Sequence, residues 1–114
     1  MMVLNNMAAI LPTIVQQMLV KLGRNIRIAR LRRNLRLSDM AERVGVSRYL
    51  MADVERGKQS AGIGAYAGAL WVLGLLDDLG EIADPDNDTE GKVLESLHAP
   101  KTATKRKKVL DNDF

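Results

Sequence analysis

The chain has no cysteine, a single histidine (His98) and only four aromatic residues among 114. Without cysteine there are no disulfides and no thiolate metal sites, which suits a reducing cytosol. One histidine excludes a metal cluster built on several imidazoles and leaves a Ser–His–Asp triad with one candidate base. Beside Ala99 and Pro100, that histidine reads as capping or following a helix end. No catalytic constellation is present, so neither an enzyme nor a cofactor is expected. The apolar start, Met7 to Leu22, is interrupted by Pro12, Gln16, Gln17 and Lys21, and no basic residue precedes it. It fits neither a signal peptide nor a bilayer span, and no membrane partner is expected. It reads as a helix packed on the core or on a second subunit. Internal repeats and alternating strand patterns are lacking too.

What is present is charge, strongly segregated. The net charge of +3 conceals a basic segment, residues 21–60, with eleven Lys and Arg against Asp39, Glu42, Asp53 and Glu55, a net +7. Residues 61–100 hold only Lys92 against eight Asp and Glu, a net −7. The basic segment carries the field a polyanion requires, and the acidic half would face away from it.

Inside that segment, Leu37 to Glu55 reads as two short helices joined by a tight turn. Met40 and Val44 share one helix face, Met51 and Val54 share another, and Val46 fills the corner. Ala41 is small where the helices cross. Gly45 can take the positive φ of a helix C-terminus, and Ser47 is a good N-cap for the second helix. This is the pattern of a DNA-binding helix-turn-helix. The exposed face of its second helix would carry Ser47, Arg48, Tyr49, Ala52, Asp53 and Arg56. Long polar side chains near its N-terminus can reach base edges in the major groove.

Along the chain the expected organisation is a leader (1–11), a helical DNA-binding domain (12–83), an acidic turn with a short helix (84–99) and a basic, disordered tail (100–114). Pro12 can open a helix reaching about Arg33, with an apolar seam of Leu19, Leu22, Ile26 and Ala29. Further helices are expected over Leu37–Val44, Ser47–Arg56, Ile63–Leu73 and Leu75–Ala83. Residues 57–62 form a loop. Tyr66, Leu70, Trp71 and Leu73 are core candidates, and Gly74 a cap or break. Asp84 to Asp88 is a turn, followed by a sixth helix from Thr89 to Leu97 capped through Asn87 and Glu90. The aspartates of the turn mimic a calcium loop, but Pro85 is rigid and the required glycine position holds Thr89, so no metal is expected. The tail lysines and Arg106 suit a solubilising terminus, added phosphate contacts or docking on an acidic partner.

With the helix-turn-helix set in an all-α, five-helix array, residues 19–80 resemble the lambda-repressor-like (Cro/CI, or XRE) family. The resemblance implies that Arg48, Tyr49 and Asp53 read bases, with Ser47 and Ala52 alongside. It implies that Arg36, Lys58, Gln59 and Ser60 touch phosphates, and that Arg30 and Glu55 form an ion pair tying the first helix to the third. Relatives usually have a phosphate-contacting glutamine where this chain has Leu37, with Arg36 as the neighbouring cation. Tyr49 could meet a thymine methyl or a phosphate. The segments Leu70–Leu79 and Ala83–Gly91 resemble HipB-like proteins, DNA-binding antitoxins of operons that also encode a HipA-like Ser/Thr kinase toxin. That implies a cytoplasmic, nucleoid-associated bacterial homodimer on double-stranded operator DNA, repressing its own promoter and holding the kinase, sometimes with a small accessory subunit. Two alternatives stay open: a protein-interaction adaptor with a vestigial helix-turn-helix, for which Leu37 speaks, and a stand-alone phage-type repressor.

Overall fold

The computed structural model describes residues 10–98, which are helical with no strand among them. The elements are α1 (Thr13–Arg32), α2 (Leu37–Val44), α3 (Arg48–Glu55), a 3-10 turn (Gln59–Ala61), α4 (Gly62–Leu73) and α5 (Leu76–Gly80). Residues 89–98 form a further helix, α6. The chain divides into two compact units, one ending at Leu79 and one beginning at Gly80. The expected basic tail and the first nine residues of the expected leader lie outside the described residues. No described helix is long and apolar enough to cross a membrane.

In the first unit α3 packs against α1, α2 and α4. The core joins them through Ile26 of α1, Met40 and Ala41 of α2, Met51 and Val54 of α3, and Ala65, Tyr66, Ala69 and Leu73 of α4. Ile26, Met40, Met51 and Val54 are fully buried, each stabilising the fold by about 1.5–3 kcal/mol relative to exposure. Val44 and Val46 are half-buried against this cluster, as the turn requires.

Close approach is arranged by glycine. A Cβ on Gly23 would sit 2.5 Å from the Val54 carbonyl oxygen, so α1 runs against the backbone end of α3. Gly57, at φ +75°, turns the chain out of α3 while a Cβ there would overlap the backbone of Leu19 and Val20. One residue therefore ends the third helix and seats the first. The same turn is closed by the Lys58 N–H donating to the Asp53 carbonyl at 3.0 Å, the bond of a Schellman motif. α1 ends similarly, with Asn34 at φ +56° and the Leu35 N–H donating to the Arg30 carbonyl.

Three details differ from expectation. Trp71, expected in the core, is 61% exposed. The inward seam of α4 runs Ala65, Tyr66, Ala69, Leu73, and Trp71, two residues past Ala69, points round the opposite side of the helix. The fifth helix starts one residue later and ends at Gly80, because the chain turns through residues 81–83 and Ala83 takes φ +62°. Ile82 is accordingly exposed. In the second unit the cap of α6 is Asp88, not Asn87: its Oδ1 accepts from the Gly91 N–H at 3.0 Å. The helix starts one residue later than a cap at Asn87 requires, and Gly91, at the third helical position, has no side chain to reach back. The turn before it is an Asx-turn, Asp84 Oδ1 accepting from the Asp86 N–H at 2.9 Å. Among the described residues no group of three or more His, Asp or Glu is arranged to hold a metal ion.

Candidate nucleic-acid interface

α2 and α3 meet at Gly45, whose φ of +87° lets the chain reverse after the Ala41 carbonyl has accepted from the Gly45 and Val46 N–H groups. Ser47 then starts α3, its Oγ accepting from the Leu50 N–H at 3.0 Å. Met51 and Val54 hold the inner side of α3, so the outer side is left to Ser47, Arg48, Tyr49 and Arg56, all exposed. Tyr49 is 74% exposed, which for a large aromatic ring on a basic surface leaves a contact to be made. The Arg48 guanidinium lies over that ring, 5.4 Å from its centroid. Cation–π contact holds the cation beside the ring at the start of the helix. Ala52 and Asp53 are half-buried.

Asp53 is not an open acceptor. Its Oδ1 takes a hydrogen bond from Arg56 Nη2, and Lys58 Nζ lies 3.8 Å away. Contact with a cytosine amine requires those cations to let go. In the unbound chain Asp53 holds two cations at the end of α3. Lys58 is fixed a second way, because the Tyr66 hydroxyl donates to its carbonyl at 2.8 Å. Burial and, next, Asp53 push the Tyr66 hydroxyl above the usual phenol range. Gln59 and Ser60 come next, on the exposed 3-10 turn. Gln16, Leu19 and Val20 of α1 face this segment across a shallow cleft.

The start of α2 is built differently from the pattern of relatives. Leu37 is half-buried and packs on the core. Arg36 has an 82% exposed side chain, with its guanidinium on Asp39 at 3.2 and 3.3 Å. Arginine offers no acceptor to a helix N-terminus. Asp39 supplies the cap from inside, accepting the Arg36 backbone N–H at 2.9 Å. Hydrogen bonding from the Arg36 side chain, then from its backbone, holds the Asp39 carboxyl below the usual range.

Behind the surface, Arg30 and Glu55 form the pair that the resemblance implied. Arg30 Nε meets Glu55 Oε2 at 2.6 Å and Nη2 meets Oε1 at 3.0 Å. Nη1 donates to the Leu35 carbonyl at 2.8 Å. Their side chains are 10% and 7% exposed, so the pair is buried, and each of its buried polar atoms has a hydrogen-bond partner. The exposed cations Arg36, Arg48, Arg56 and Lys58 thus stand on elements fixed from beneath. Sequence reasoning missed the Tyr66–Lys58 bond and the engagement of Asp53. The second was signalled by the i, i+3 spacing of Asp53 and Arg56; the first had no signal beyond a tyrosine in an apolar helix.

A family model described as a helix-turn-helix domain matches residues 21–81, more than half of the chain. No curated protein and no solved structure matches it.

Proposed function

The chain belongs to the helix-turn-helix domain family, and from that premise we propose that it is a sequence-specific DNA-binding regulator that represses transcription. The observation that supports this best is the outer side of α3, with Arg48 and Tyr49 at its start and Arg56 and Lys58 at its end, unobstructed by the rest of its own unit. α3 enters the major groove. Arg48 pairs with guanine, worth about 1–3 kcal/mol of discrimination when bidentate. Tyr49, Ser47 and Ala52 complete the contact surface. Arg36, Arg56, Lys58, Gln59 and Ser60 lie against phosphates and set register. A homodimer presents two such helices to half-sites one turn apart, roughly 34 Å.

The finer reading is a HipB-like antitoxin that represses its own operon in the bacterial cytoplasm and associates with a HipA-like kinase and a small accessory subunit. It rests on the resemblance of Leu70–Leu79 and Ala83–Gly91, and a HipA-like kinase gene beside this one is its first requirement. A neighbourhood without one leaves the stand-alone phage-type repressor.

Footprinting with salt titration tests the interface. Arg48→Ala is expected to relax specificity at one base pair per half-site, whereas Lys58→Ala weakens all sequences alike. Equal, sequence-blind losses for both variants refute the assignment. No gel shift with DNA upstream of its own gene at micromolar protein favours the protein-interaction adaptor, the reading that Leu37 supports by packing on the core instead of carrying a phosphate-contacting group.

A further inference from the structure

α1 starts before the region that matches the family. It begins at Thr13, whereas the helix-turn-helix match begins at residue 21. The two extra turns carry Ile14, Val15 and Met18, exposed at 64%, 40% and 57%. With Leu22 after them, these residues recur at three- and four-residue steps and form one stripe along the helix. Leu22 is where the stripe reaches the core. From Ile10 to Val20 there is no Asp, Glu, Lys or Arg, while the rest of α1 carries Lys21, Arg24, Arg27, Arg30 and Arg32.

We propose that this stripe is the docking surface for a second copy of the chain, two α1 helices meeting antiparallel about a two-fold axis. The inference rests on the reading of the protein as a DNA-binding dimer and says which surface makes it one. The argument is one of charge. A two-fold interface presents a surface to itself, so any charge near the axis meets its like. In a unit this basic, pairing through the later half of α1 would bring arginines together. Pairing through the uncharged half does not, and the antiparallel arrangement sends the two basic halves in opposite directions. A stripe without cations is no use to a phosphate backbone, and an exposed run of large apolar residues on a small unit marks a contact with protein. A second uncharged surface, on α4, offers Ile63 and Trp71, eight positions apart with Ala67 between them on that face, and makes no such stripe.

The test uses the full chain. Sedimentation is expected to show a dimer for the wild type. The double variant Ile14→Glu/Met18→Glu alters only exposed positions, so its circular dichroism is unchanged, while its dimer is at least about 100-fold weaker, because the two-fold interface loses four apolar side chains, two from each chain. Because the chain has no cysteine, Met18→Cys introduces a lone thiol. It is expected to yield a covalent dimer on mild oxidation, whereas Ile63→Cys does not. Emission from Trp71, the single tryptophan, stays constant as the dimer is diluted apart. A monomeric wild type, a double variant as dimeric as the wild type, crosslinking through Ile63→Cys, or a Trp71 shift on dilution overturns the proposal. Gel shifts separate the two readings. A dimer that depends on the stripe but binds no DNA sinks the regulator and leaves the interface. DNA binding with an undisturbed double-variant dimer does the reverse.

Discussion

Arg30 and Glu55 sit 25 positions apart and meet beneath the candidate interface. A hydrogen-bonded ion pair in a core adds little net stability over well-packed apolar residues, but breaking one partner leaves a buried charge. Glu55→Ala is therefore expected to cost about 3–5 kcal/mol in urea denaturation, with much of the loss recovered by Arg30→Met combined with Glu55→Leu. A wild-type midpoint for Glu55→Ala would show that the pair carries no such burden. No spacing rule joins residues so far apart, and family resemblance is what flagged this pair. The Ser47 cap, by contrast, was legible locally, because a hydroxyl just before an apolar-periodic run has one obvious acceptor role. Asp53 shows the opposite failure. Its position on the outer side of α3 was readable, but its engagement by Arg56 and Lys58 depends on how two long side chains fold back.

At the level of the helix, α2 and α3 matched the sequence closely, since each has an apolar pair at the right step, with Gly45 to end the first and Ser47 to start the second. α4 and α5 matched less well. A helix as apolar as α4 has no polar side to orient it, so which residues turn inward is decided by the partners it meets, and Trp71 went outward. α5 was read too long because its apolar spacing runs past the point where the backbone breaks. Gly57 was read only as the start of a loop; its second task, seating α1, depends on a neighbour more than thirty residues upstream. Gly57→Ala meets both obstacles, a left-handed backbone and an occupied space. It is expected to destabilise by about 2–4 kcal/mol in thermal melts. A change within a few tenths would mean that α1 and the α3 turn part easily.

Across the whole chain, the division into a basic and an acidic segment was plain from the sequence, and cations of the basic segment stand exposed at the candidate interface. Three cations per subunit proposed to lie against phosphates, Arg36, Arg56 and Lys58, imply about six phosphates neutralised by a dimer, so log affinity should fall with log salt at a slope of about −5. A slope near zero in binding titrations would mean that DNA is not held through these residues. At this scale the sequence left the role of Met7 to Leu22 open between packing on the core and packing on a second subunit, since that depends on which apolar surfaces folding leaves uncovered. The mounting of α3 separates two jobs. The side chains that pack beneath it (Met51, Val54 and Glu55) are not the outermost ones (Arg48 and Tyr49), while Ser47 caps its first turn. Arg48 and Tyr49 can be exchanged without disturbing the scaffold, which makes this small protein a chassis whose proposed address can be rewritten at two positions while its foldability is inherited unchanged.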